Sequence, residues 1–416
     1  MTTATHDVRR SLKAGDLPGA VRALRPHAET ASPAELAKAT RELADAAGFA
    51  DLARAAKTAA RRPRDPQALY DFGYACVERG VSFLAVAPLR HAFALAPDSR
   101  RLLAELVSAL EDGHRHAEAA ALLAARGDRL PAWPETYLLV HNTLCAGDFD
   151  GARAAAIRLP APQDEAWIDA HGRQRRMLGR AELAREAGPF DGRDLRGWHF
   201  ALTGSLLGTL SPYGYAAGMT GRYAFLGDSH ALARRGLDRL ALALAAAGQR
   251  PTSVSLLPGR ADRILGLAAA GVLGLPAVPY DPARTDTVVV AHDLNACDPD
   301  LVRTLRTRAT GQVLHEHLTC WTDPPAVSAD SSALLCQYAV APWAAHGDRP
   351  ADGRPEEDIA RAVIEADPAP DEGDGQTPAD PDAAFRAYAA AVAPGWLGGT
   401  RDRLDSPGPV PGSRFA

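Results

Sequence analysis

Thr287-Val288-Val289-Val290-Ala291-His292-Asp293 is the most strand-like run in the chain, and its reading decides the fold. Three valines after a threonine favour a pleated backbone. A short run that is apolar without alternation is that of a strand covered on both faces. The run stops on an imidazole and a carboxylate, His292 and Asp293. In α/β proteins such groups at the carboxyl end of a buried strand are where ligands are met.

Working outward, Ser253-Val254-Ser255-Leu256-Leu257 reads as an earlier strand. A helix is expected over 261–273, ended by Gly274 and Pro276. A short strand follows over 277–280, a helix over 299–308, a strand over 312–318 and a short apolar run over 333–340. Strand and helix alternate, which predicts an α/β domain with a mostly parallel sheet over 194–345. A further amphipathic helix is expected over 231–247, with Leu232, Leu237, Leu240 and Leu244 on one face.

Residues 1–193 have a different texture. They are rich in Ala, Leu, Arg and Glu and carry an internal repeat. Ala14-Gly15-Asp16-Leu17-Pro18-Gly19-Ala20 returns as Ala146-Gly147-Asp148-Phe149-Asp150-Gly151-Ala152. A 34-residue frame starts at Pro66, Arg100 and Pro134. Gly73, Ala85, Ala92 and Ala119 take its small positions, and Pro97 and Pro131 close its units. The copy over 32–64 fits poorly. These residues resemble tetratricopeptide repeats. The resemblance implies a helical solenoid that binds a protein or peptide partner, or braces the α/β domain.

Beyond His346 the chain turns to Pro, Gly, Asp and Glu. Residues 351–380 hold ten acidic side chains against two arginines. That composition predicts a largely disordered acidic tail over 346–416, with helical turns at 356–364 and 382–392.

Bulk properties exclude several functions. A net charge of −5 on 416 residues gives no basic surface for nucleic acid. Lysine occurs only at positions 13, 38 and 57, so 253–321 holds no lysine for a Schiff base or a phosphate loop. Arginine in its place is the usage of a GC-rich bacterial genome. Five scattered cysteines without CxxC spacing fit reduced thiols in a cytoplasmic protein. No signal peptide and no membrane span are expected.

Three constellations could carry chemistry. Gly227-Asp228-Ser229 follows the apolar Tyr223-Ala224-Phe225-Leu226 and resembles the nucleophile block of the SGNH/GDSL hydrolases. That family pairs its serine with a late Asp-x-x-His, and none of the thirteen histidines here has an Asp three residues before it. The local reading is helix capping by Asp228 or Ser229. Second, the order of elements over 253–318 resembles a type I phosphoribosyltransferase core. The resemblance implies that 287–293 is the signature strand, with His292 replacing one acid of its pair and Asp293 remaining. Arg263 then lies on the preceding helix, and Asn295-Ala296-Cys297-Asp298-Pro299 stands for the phosphate loop. That loop has no glycine, and Asp298 would repel a phosphate, so a degenerate or repurposed site is implied. An unrelated Rossmann-like unit is the alternative. Third, His315-Glu316-His317 with Cys320 has a zinc-like look, but no fourth ligand stands nearby, so neither metal nor cofactor is assigned.

The expected protein is thus an adaptor with a non-catalytic α/β domain, or else a phosphoribosyltransferase-type enzyme or nucleotide sensor governed by the repeats. Asp293 and His292 are the candidate catalytic residues. Asp293, Asn295, His315, His317 and Arg263 are the candidate ligand-binding ones. A polar cluster of His292 and Asp293 with His315 or His317 is the constellation to look for.

Overall fold

The computed structural model describes residues 3–370 and 372–413; expectations falling on 1–2, 371 and 414–416 lie outside the described residues. The chain divides into two compact units, Met1–Pro160 and Ala161–Ala416.

In the first unit the helices pair as antiparallel hairpins, and three pairs follow the sequence frame. Pro66–Glu78 packs on Val86–Leu95, Arg100–Asp112 on His116–Ala124, and Tyr137–Cys145 on Phe149–Ile157. The small positions are small for a measurable reason: a Cβ on Gly73 would lie 2.5 Å from Leu89 Cγ of the paired helix. The repeated Ala-Gly-Asp turn has one geometry in both places. Gly15 and Gly147 adopt φ of +74° and +92°, which L side chains resist. Asp16 and Asp148 then cap the next helix, accepting from Gly19 N at 2.7 Å and Gly151 N at 2.8 Å. The stretch that fitted the frame poorly still forms a hairpin, Pro33–Ala47 with Ala50–Arg61, opened by a capping box between Ser32 and Glu35.

The second unit is built on a seven-stranded parallel sheet. Its strands are β1 (Leu206–Leu207), β2 (Tyr223–Gly227), β3 (Ser253–Leu256), β4 (Ala277–Pro279), β5 (Thr287–Ala291), β6 (Val313–Cys320) and β7 (Ser331–Val340). The order is β1-β7-β6-β5-β3-β4, with β2 also on β7. β7 therefore has a divided outer neighbour: β1 pairs with its start through Leu206 and Ser331, and β2 with its end through Tyr223 and Cys336. β5 lies at the centre, wholly buried as its sequence demanded. The His230–Ala246 helix covers β6 and β7, and the Arg260–Leu273 helix covers β3 and β5. Val289, Ala291 and Leu314 pack with Val302 and Leu305 of the Pro299–Leu305 helix.

Two expectations need revision. The Ile168–Ala187 helix belongs with the second unit, where it packs on Leu195–Thr203. The region beyond 346 is also folded rather than disordered. Its helices, Glu356–Glu365 and Asp382–Val392, stand where turns were expected, but Ile359, Val363, Phe385 and Val392 are fully buried. The acidic count misled because the compensating charges come from far upstream. Asp380 pairs with Arg196 at 2.8 Å, and Arg401 is buried against Asp330 of the β6–β7 connection at 2.7 Å. No helix among the described residues is long and apolar enough to cross a membrane.

Candidate functional site at the carboxyl edge of the sheet

Chain order and strand order diverge around β3: the chain passes outward to β4, then returns to β5 on the other side. The carboxyl ends of β3 and β5 thus flank the switch point, where open α/β sheets usually hold ligands. Here the chain itself bridges that crevice. Asp262, in the first turn of the helix after β3, accepts from His292 N at 2.8 Å. The Cys297 thiol lies 3.5 Å from its other oxygen. Arg260 donates to the carbonyls of Asp352 and Arg354, and Arg263 pairs with Glu356 at 2.8 Å.

The candidate loop residues are likewise engaged in local structure. Asp293 Oδ1 accepts from Asn295 N at 2.9 Å and caps its own turn, while burial pushes its pKa up. Asn295 donates to the Asp323 carbonyl. Asp298 caps the Pro299–Leu305 helix, as its position before a proline implied. Glu316 is fully buried, accepting from Leu294 N at 2.7 Å and from the Thr319 hydroxyl. Burial raises its pKa to about 8.

The two histidines of β6 part company. His315 sits 3.3 Å from the Ser331 hydroxyl, and burial depresses its pKa to about 3, which keeps it neutral. His317 instead meets Asp228. Its Nε2 lies 3.1 and 3.2 Å from the two carboxylate oxygens. His292 joins from the end of β5, with Nε2 3.5 Å from Asp228 Oδ2 and its ring 5.6 Å from that of His317. All three residues are buried, and the Trp343 ring lies 5.3 Å from His292. Cys320 is not part of the group; its thiol faces the Gln337 carbonyl and Thr322.

Asp228 reaches this place because β2 ends there. Its N–H donates to the Val340 carbonyl, extending the β2–β7 ladder, and its Oδ1 accepts from Ser229 N at 2.8 Å. Burial opposes ionisation of Asp228, but His317 and His292 outweigh it and hold the pKa well below the usual carboxylate range. Ser229 caps the following helix, its hydroxyl accepting from Leu232 N at 3.1 Å.

The expected cluster of His292 with a β6 histidine is therefore present through His317, with Asp228 in the place foreseen for Asp293. Arg263, Asn295 and His315 lie outside it. The available signal for Asp228 was a carboxylate directly after an apolar, strand-like run. No protein-family model, no curated protein and no solved structure matches the chain.

Proposed function

We propose that the protein is a cytoplasmic interaction adaptor. The helical hairpins of the first unit form a tetratricopeptide-like solenoid for a protein or peptide partner, and the α/β unit carries out no phosphoribosyl chemistry. The observation behind the second half is the bridged switch point, where Asp262 takes the His292 N–H and Arg263 is neutralised by Glu356. A phosphate would have to displace both contacts and sit beside Asp298. The first half draws on how the leading helices of successive hairpins meet. Tyr70 and Tyr74 stack, Arg101 lies over the Tyr70 ring, and Tyr74 remains 46% exposed as an aromatic anchor. The five free cysteines suit a reducing compartment.

One observation favours a second reading, a phosphoribosyltransferase-type enzyme or nucleotide sensor. Numbered from β3, the strands β4-β3-β5-β6-β7 run 2-1-3-4-5, a common order of nucleotide-binding doubly wound sheets. A thermal-shift series separates the two. Phosphoribosyl pyrophosphate with Mg²⁺, and nucleotides, should leave Tm unchanged. A stabilisation that disappears in Asp293→Asn would overturn the adaptor reading, because a ligand bound only by the native state must raise its stability. Partner capture by the full chain should weaken at least tenfold in Tyr74→Ala.

A further inference from the structure

We propose that Asp228, His292 and His317 form a binding site for one divalent transition-metal ion of the zinc class. The inference is independent of the adaptor reading and holds whether or not the repeats bind a partner.

The geometry comes first. Each residue offers one ligand atom, and these atoms all lie within 4.8 Å of one another. The carboxylate oxygen is 3.1 Å from His317 Nε2 and 3.5 Å from His292 Nε2. Bonds of about 2.0–2.1 Å at a tetrahedral zinc ion place its ligand atoms roughly 3.3 Å apart. Two of the three separations between ligand atoms thus match a tetrahedral ion, and the third lies within 4.8 Å.

The chemistry agrees. Two imidazoles and one carboxylate select zinc-class ions over Mg²⁺ or Ca²⁺, which want oxygen ligands. The carboxylate is held in place by the Ser229 N–H, the kind of outer contact that orients metal ligands. A second observation is independent of the clustering. His292 is 6% exposed, and its Nε2, which faces Asp228, has no hydrogen-bond partner of normal geometry. A buried ring nitrogen without a partner is costly, and a metal bond would satisfy it. Three protein ligands leave a fourth position for a solvent oxygen. The ligands come from the ends of β2 and β5 and from the interior of β6, so an ion would tie the divided edge of the sheet to its centre.

The test uses the full-length chain stripped with a chelator. Addition of ZnCl2 should load one ion per chain and raise Tm, while MgCl2 should do neither. Asp228→Asn and His292→Gln, checked for native circular dichroism, should weaken zinc binding at least tenfold. CoCl2 should give the strong visible absorption of a low-coordinate site, lost in the same variants. Absence of stoichiometric zinc and of a Tm rise in the wild-type chain would overturn the proposal without recourse to any variant. So would wild-type affinity in both variants, since the ion would then sit elsewhere.

Discussion

Asp228 reaches His317 across 89 positions of sequence, its Oδ2 3.1 Å from the imidazole Nε2. β7 runs between their two strands, so the pair spans a whole strand of the sheet and anchors the start of the His230–Ala246 helix to β6. The ring fits beneath that helix because position 236 lacks a side chain. A Cβ there would stand 2.7 Å from Ala333 Cβ and 3.2 Å from His317 Nδ1.

Gly236→Ala should therefore destabilise the second unit. The substitution gains about 1 kcal/mol of helix propensity. Overpacking against a Cβ that cannot rotate away costs about 1–3 kcal/mol, and the contact is short enough to place the cost at the upper end. Chemical denaturation should show a lower midpoint; an unchanged or raised midpoint would show that the helix shifts freely.

Asp262→Ala should cost about 1–3 kcal/mol, the penalty for stranding the buried His292 N–H. Asp262→Asn keeps an acceptor oxygen and should recover most of that loss. Equal destabilisation by the two variants would mean that charge, rather than the hydrogen bond, bridges β3 to β5.

Asp330 should be the most sensitive position in the unit. It accepts from Leu314 N and Arg401 Nε, each at 2.8 Å, and pairs with Arg308. Burial opposes its ionisation, yet Arg401 and Arg308 outweigh burial and lower its pKa. Asp330→Ala leaves guanidinium charge buried beside an empty space and should cost about 3–5 kcal/mol. Arg401→Met leaves Asp330 still paired with Arg308 and should cost less. The reverse ranking in urea titrations would contradict this account.

A pH signature is expected from the first unit. Burial raises the Glu111 carboxyl to about 7, although Asn142 donates to it at 2.6 Å. Between its ordinary value and about 7 the folded chain holds a proton that the unfolded chain has lost. Stability from this group is thus complete in acid and declines as pH rises to about 7, by on the order of 1–2 kcal/mol for a half-buried group. Burial lowers the pKa of His116 in the same network, which acts in the opposite direction. The difference between wild type and Glu111→Gln isolates the carboxyl: the variant should gain relative stability between pH 5 and pH 8.

The hairpins and the four strands from β3 to β6 were legible because each is written in adjacent residues. Gly73, the Ala-Gly-Asp turns and the valines of β5 report their environment through size and branching alone. Ser229 was legible as a cap for the same reason. Asp228, beside it, was not, because the local rule gives both residues one role and only the pairing of β2 with β7 separates them. Asp293 drew attention as the last acid of the central strand, but its carboxylate turns back to Asn295 N. The folded carboxyl-terminal region was illegible on similar grounds. Arg196, Arg239 and Asp330, which pair with Asp380 and Arg401, lie well outside the acidic window.

The divided edge of β7 also sets an order of assembly during synthesis. Each hairpin of the first unit is closed by a neighbour a few residues away, so it can form as it leaves the ribosome. The second unit cannot. β2 finds its partner only after residue 340 has emerged, and Asp330 waits for Arg401. A nascent chain halted near residue 345 would thus carry a finished amino-terminal unit and a sheet whose buried acid still lacked the arginine that arrives last.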